Sequence, residues 1–215
     1  MDIDQITNKK EKMELAKIIA DKVRNGQTIG FGSGTTSYLA AIEIGKKVKA
    51  EELRITAVPT SNEIEQLCEE LGIPCSNLLE STIDWGFDGA DEVDKRGRLI
   101  KGRGAAMFKE KLNIVSSPKT YILVDHTKFV DKLGEKCPVP IEVFPTAMNF
   151  VSSRLEQIGA VDIEFRGMTE NGNSILDTRF DDISDDLERR IKIIPGVIES
   201  GLFVGYNTEI IGLDL

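Results

Sequence analysis

The sequence predicts an α/β protein built as a doubly wound parallel sheet domain with a smaller α+β domain. Three observations predict it. From Lys12 to Val124, short apolar runs alternate with stretches of helical periodicity, as in strands joined by crossover helices. The pattern changes at Lys132 to Pro140, where CPVPIEVFP packs three prolines into a short span. Beyond it the order becomes β-α-β-β-α-β, the split βαβ arrangement.

Taken in order, Met13, Ala16, Ala20 and Val23 recur at helical spacing, and Gly26 stands where that helix would end. Thr28 to Phe31 reads as a strand, and SYLAAIEIGKKV after a run of glycines reads as a helix. Arg54 to Val58 is the next strand, followed by a helix whose one face carries Ile64, Leu67, Cys68 and Leu71 and which Gly72 closes. Ile83 to Phe87 and Tyr121 to Val124 are further strands, completing a Rossmann-like alternation. In the ferredoxin-like part, strands are expected at Val139 to Phe144, Val161 to Gly167, Ser174 to Thr178 and after Pro195-Gly196. Helices there carry Ala147, Val151, Leu155 and Ile158, and then Ile183, Leu187 and Ile191, with a turn at Asn171-Gly172. GLFVGYNTEIIGL is expected to return to the first domain as its final strands. The expected division is 1–131 plus 201–215 for the larger domain and 132–200 for the smaller.

Composition narrows the function. A chain of 215 residues with 40% hydrophobic content can bury a real core. The net charge of −9 argues against nucleic-acid binding, which draws on lysine and arginine at phosphates. No apolar run approaches the roughly 20 residues that span a bilayer, so no membrane role is expected. Cys68, Cys75 and Cys137 are odd in number, lack CxxC spacing and follow no signal peptide, which predicts free thiols and a cytoplasmic protein. His126 is the single histidine. Histidine-rich metal sites are thereby excluded, and GFGSG is not the GxSxG elbow of a Ser-His-Asp hydrolase.

GFGSGTT, Gly30 to Thr36, lies between a predicted strand and helix, where backbone N–H groups and the helix dipole attract anions. No GK[ST] follows, so it is not a Walker A loop, and the dinucleotide glycine pattern also fits badly. A small phosphate is the natural guest, with hydroxyl donors from Ser33, Thr35 and Thr36 and a close backbone approach at Gly34. A second cluster follows. Asp88, after the apolar run ending in Phe87, belongs at the C-terminal edge of the sheet, where open α/β folds bind ligands. Asp91 comes three residues later in DGADEVD, with Gly89 and Ala90 between them. Two close carboxylates can separate in acidity, one holding a proton and one not. Lys101 opens KGRGAAMFKEKL, in which Gly102, Arg103 and Gly104 can offer amides to an oxyanion and Glu110 lies on the following helix as a candidate general base. A divalent metal is the competing use of the acids, but Lys95, Arg96, Arg98 and Lys101 follow them without any histidine.

These segments together resemble ribose-5-phosphate isomerase, type A. The family's G-x-G-[ST]-G-[ST]-T, DGADE and KG-x-G segments stand here as Gly30 to Thr36, Asp88 to Glu92 and Lys101 to Gly104 with Glu110. A later lysine after VD is Lys128, and NGN-x-ILD and IPGV-x-x-x-GLF also match. The resemblance implies interconversion of ribose 5-phosphate and ribulose 5-phosphate in the non-oxidative pentose phosphate pathway, with no cofactor and no metal. It implies that Glu110 carries a proton between C2 and C1 through a cis-enediolate, and that Asp88 assists ring opening or proton movement while Asp91 holds hydroxyls. Lys101 and the amides of Gly102 to Gly104 would stabilise the oxyanion, Ser33 to Thr36 would bind beside the phosphate, and Lys128, joined by Lys12, would add cations there. It further implies a homodimer or homotetramer. The family often has KGGG where this chain has Lys101-Gly102-Arg103-Gly104, so Arg103 fits only if its position requires no glycine torsion. The rival of a different class is a non-catalytic sugar-phosphate-sensing domain, which would not require the whole set Asp88, Asp91, Lys101 and Glu110. A deaminase or lactonase of similar architecture would commonly enlist histidine.

Overall fold

The computed structural model describes residues 3–213. Its helices and strands follow one another as α1 (Lys9–Asp21), β1 (Thr28–Phe31), α2 (Gly34–Ala50), β2 (Thr56–Pro59), α3 (Asn62–Glu70), β3 (Trp85–Gly89), β4 (Glu92–Asp94) and β5 (Leu99–Ile100). Then come α4 (Met107–Ser116), β6 (Thr120–Leu123), β7 (Phe129–Val130), β8 (Val139–Val143), α5 (Met148–Gln157), β9 (Ala160–Met168) and β10 (Ser174–Phe180). α6 (Leu187–Lys192), β11 (Val197–Ser200), β12 (Leu202–Phe203) and β13 (Thr208–Ile211) complete the chain. Two compact units result, one from Met1–Gly89, Lys109–Thr127 and Tyr206–Leu215, the other from Ala90–Phe108 and Lys128–Gly205.

The first unit holds a five-stranded sheet in the order β13-β6-β3-β1-β2. Every neighbouring pair is parallel. Strand alternation sends successive side chains to opposite faces. Ile29 and Phe31 of β1 and Trp85 and Phe87 of β3 join one core with Leu15 and Ile19 of α1, Leu39 and Ile44 of α2, and Ile64 and Leu67 of α3. On the opposite face, a Cβ at Gly30 would lie 3.4 Å from Asn113 of α4 and one at Gly86 3.2 Å from Ser117, the residue after it. Helices therefore cover both faces, as the strand-helix alternation predicts, and bare glycines let α4 approach the sheet closely.

The second unit holds two sheets. β11-β8-β10-β9 is antiparallel. With α5 and α6 it completes the expected β-α-β-β-α-β unit, its core formed by Val139, Ile141, Val143, Val151, Leu155, Leu176, Leu187 and Ile191. A small sheet, β12-β5-β4-β7, is built from pieces of two or three residues. It explains why the observed units divide differently from the expected 132–200 boundary. β4 and β5 precede that boundary, yet they pair with β7 and β12 and so belong with the second unit. The C-terminal segment splits as well: Leu202–Phe203 pairs with β5, and only Thr208–Ile211 joins the parallel sheet beside β6.

Candidate active site

In the first unit, the site is built at the C-terminal edge of the parallel sheet. Gly34 adopts φ +83, a torsion that favours glycine, and opens α2 directly after β1. Ser33 is the residue before the helix, and its hydroxyl lies 2.6 Å from that of Thr60 at the end of β2. The first N–H groups of α2 have no carbonyl one turn back to bond, and with Thr35 and Thr36 they form a donor cluster for an anion. Lys12 reaches this cluster from α1. It is 3% exposed, its Nζ donates to Thr35 Oγ1 at 3.1 Å, and it lies 3.7 Å from Asp125 Oδ2. Asp125 is itself fixed by Asn8 Nδ2 and the Thr127 N–H, each at 3.0 Å, so the cation is held in place from the side away from Thr35.

Asp88 alternates with Phe87 and so leaves the apolar core that Phe87 joins. It is 2% exposed, and its Oδ1 accepts the N–H groups of Ser33 at 3.1 Å and Gly89 at 2.8 Å, with the Ser37 hydroxyl at 3.4 Å. One carboxylate thus ties the glycine-rich loop to β3. The fit depends on Gly32: a Cβ there would lie 2.2 Å from Asp88 Cγ and Oδ1 and 2.6 Å from its Cα.

Glu110 is 4% exposed and sits in the first turn of α4. Its placement follows from its helix neighbours. Ser117, just after α4, lies over Gly86 and Asn113 donates to Val58 O at 2.8 Å, so this face of α4 packs on the sheet. One turn before Asn113, Glu110 shares that face. The first unit thus holds two buried carboxylates, Asp88 bonded to the loop Ser33 to Thr36 and Glu110 on the sheet-facing side of α4.

The second unit carries the remaining candidates. Asp91 and Ala90 are half-buried at the start of this unit, and the Asp91 N–H donates to Ile100 O at 2.8 Å. Asp91 Oδ2 accepts the Arg103 N–H at 3.2 Å. Lys101 is 2% exposed, anchored by its N–H to Gly201 O at 2.9 Å, with its ammonium 5.7 Å from the centre of the Phe203 ring. Gly102 has φ +103, whereas Arg103 lies outside the positive-φ region and is exposed. No glycine torsion is needed at Arg103, which answers the departure from KGGG. Gly104 needs none either, and the left-handed torsion of the turn falls on Ala105 at φ 60. Lys128 is half-buried, and it and Arg103 pull down on the Cys137 thiol, which burial first, then Asp91 and Glu92, push up.

Three further residues at these positions were not signalled by pattern. Thr60, Ser37 and Asp125 read as ordinary polar residues, and their partners lie dozens of residues away. Glu92, within DGADEVD, is fully buried and accepts the N–H groups of Gly134, Lys136 and Cys137, each at 2.6 Å. It is a structural pin rather than a reacting acid. His126 pairs with Glu11 at 2.7 Å on an exposed surface. With Asp125 they form the one grouping of three metal-capable side chains among the described residues, and neither Asp88 nor Asp91 belongs to it. No helix of the described residues is long and apolar enough to cross a membrane.

Residues 56–213 match the family profile described as ribose 5-phosphate isomerase A (phosphoriboisomerase A). The chain is 37% identical over 217 residues to ribose-5-phosphate isomerase A of Methanocaldococcus jannaschii, covering 96% of each chain. It is similar to the solved structure of ribose 5-phosphate isomerase A from that organism, with a TM-score of 0.91, 36% identity and 95% of each chain covered. A solved D-ribose-5-phosphate isomerase in complex with phospho-erythronic acid is similar at a TM-score of 0.90, with 36% identity and 95% of each chain covered.

Proposed function

The chain belongs to the ribose 5-phosphate isomerase A family, and from that membership we propose how it acts. It interconverts D-ribose 5-phosphate and D-ribulose 5-phosphate through a cis-enediolate, in the non-oxidative branch of the pentose phosphate pathway. The observation that carries this reading is the pair of buried carboxylates, Asp88 and Glu110, in a unit where Asp88 is bonded to an anion-binding helix start.

Ser33, Gly34, Thr35 and Thr36 bind substrate at and beside its phosphate, with Lys12 aimed at Thr35 and Lys128 adding a further cation. Asp88, with Gly89 and Ala90 beside it, assists opening of the sugar ring, and Asp91 orients hydroxyls. With the chain open, the Glu110 carboxylate removes the C2 proton of the aldose. The C2–H electrons form the C1–C2 double bond, and the carbonyl electrons pass to O1, where Lys101 and the amides of Gly102, Arg103 and Gly104 stabilise the charge. Glu110 then returns the proton to C1 as the O2 proton passes to O1, giving the ketose. A free carboxylate with a pKa near 4.3 is a weak base for carbon, so positioning and oxyanion stabilisation supply most of the acceleration.

We infer that no metal takes part: Asp88 and Asp91 already accept backbone N–H groups and belong to no cluster of three potential ligands among the described residues. A homodimer or homotetramer is supported by β9, an edge strand that exposes Val161, Phe165 and Met168 by 58%, 56% and 51%. Three free cysteines support a reducing, cytoplasmic setting.

The test follows ribulose 5-phosphate formation with and without EDTA, in wild type and Glu110→Gln. We expect EDTA-resistant turnover that falls at least about a hundredfold in kcat in the variant, with substrate binding retained. Saturable pentose-phosphate binding without turnover by the wild type would overturn the enzyme reading in favour of a sensor. Undiminished turnover by Glu110→Gln would remove that residue as the base.

A further inference from the structure

The register of β9 against β10 slips beside Arg166. Ile175 pairs with Gly167 and Leu176 with Phe165, so Arg166 is the extra residue of a β-bulge. Gly167, at φ +149, completes the irregularity. A bulge breaks strand alternation and re-aims the side chain it carries. Here the guanidinium reaches a segment more than sixty residues earlier in the chain: Nη2 donates to Gly102 O at 2.9 Å and Nη1 to Arg103 O at 2.6 Å. Behind it, Nε lies 3.1 Å from Asp177 Oδ1 on β10. Burial pushes the Asp177 carboxyl up, against the pull of Arg166 and Arg103.

Two successive carbonyls held by one rigid fork fix two peptide planes. Each trans peptide points its N–H opposite to its C=O. The 102–103 plane has its carbonyl on Arg166 and its N–H on Asp91 Oδ2 at 3.2 Å. The 103–104 plane has its carbonyl on Arg166, which turns the Gly104 N–H away from the guanidinium, and that N–H meets no acceptor among the described residues. Ala105 closes the turn by donating to Gly102 O at 3.0 Å. The carbonyls of Gly102 and Arg103 are thus taken up on one side, and the Gly104 N–H is turned to the other.

We propose that Arg166 is a positioning residue of the isomerase, holding the 102–103 and 103–104 peptides so that the Gly104 N–H faces the developing enediolate oxyanion. The proposal rests on the isomerase reading and extends it to a residue that touches no substrate. A lysine at this position offers a compact ammonium that cannot hold both carbonyls in one plane. The loss should therefore appear in the transition state, because ground-state contacts to the sugar phosphate come from other groups.

The experiment compares wild type, Arg166→Lys and Arg166→Ala for kcat, KM, thermal midpoint and affinity for phospho-erythronic acid, whose carboxylate presents oxygens like an enediolate. Wild-type turnover tests the isomerase reading by itself. In both variants we expect kcat to fall about 10- to 100-fold, the scale of losing an oriented oxyanion donor, with KM within about threefold. Affinity for phospho-erythronic acid should fall with kcat, and low concentrations of guanidinium should restore part of the Arg166→Ala activity. If active wild type stands beside variants with unchanged kcat, or with the loss confined to KM, the positioning role is wrong. Arg166→Lys guards against misfolding of Arg166→Ala: a folded lysine variant with wild-type kcat overturns the proposal.

Discussion

Replacing Gly32 by alanine should disable this enzyme although Gly32 offers no side chain to the chemistry. The torsion at Gly32 accommodates an L-residue, since Gly32 is absent from the positive-φ glycines. The obstacle is space: the new Cβ would lie 2.2 Å from Asp88 Cγ and Oδ1 and 2.6 Å from Cα, against an ordinary contact of at least 3.4 Å. Rotating the Asp88 side chain relieves only part of the clash, because its Cα also intrudes. Asp88 or the loop must therefore shift by roughly 1 Å, a displacement that costs on the order of a hundredfold when it separates reacting groups. The same shift strains the bonds from Ser33 and Gly89 to Asp88, worth about 1–3 kcal/mol of stability where a buried acceptor loses its donors. Steady-state kinetics with a urea titration would show a fall of about a hundredfold in kcat and a modest drop in midpoint. Wild-type kcat and KM in a folded Gly32→Ala protein would refute the argument that Asp88 is held by contact with the loop.

Lys128→Ala should mainly raise KM, by about tenfold, the scale of one charge-assisted hydrogen bond to phosphate; an unchanged KM would put the phosphate elsewhere. Lys12→Met should raise KM and also lower stability by about 3–5 kcal/mol, because Asp125 would be left buried without its cation; the urea midpoint separates the two effects. Ala105→Val should cost about 1–3 kcal/mol, since a β-branched residue resists the left-handed torsion at φ 60, and chemical denaturation would report it. Burial pushes the thiols of Cys68, Cys75 and Cys137 up, so fewer thiolates exist in the folded protein than in the unfolded chain. A thiol reagent at pH 8 should accordingly react at least about tenfold more slowly with native than with urea-unfolded protein. By linkage, the stability tied to these thiols is fully present below about pH 8.5 and is lost as pH climbs toward their raised folded values.

Apolar runs made the large sheet readable. β1, β2 and β3 each carry two apolar residues, adjacent or alternating, and β6 carries three, and helix periodicity marked what lies between them. β4, β5, β7 and β12 were not readable, because two or three residues establish no period. Their pairing draws Ala90–Phe108 into the second unit, which no local pattern announces. Glu92 shows the same limit at a single position. In an acidic run it reads as a solvated turn, yet three N–H groups from 134–137 donate to it and allow its burial.

The candidate site divides the same way. Residue type and spacing alone marked the glycine loop, Asp88, Asp91, Lys101 and Glu110, because the chemistry of anion binding and proton transfer demands those groups near strand ends and helix starts. The sequence also determined the strand alternation that turns Asp88 away from the apolar core of Phe87. Only the tertiary structure decided that Lys12 is aimed at Thr35, that Gly32 must yield its space to Asp88, and that a bulge carries Arg166 onto the carbonyls of Gly102 and Arg103. Periodicity is enforced by neighbours along the chain and can be read there. Contacts across twenty to sixty residues are fixed by how strands pair and helices close over them, and they exist only once the chain has folded.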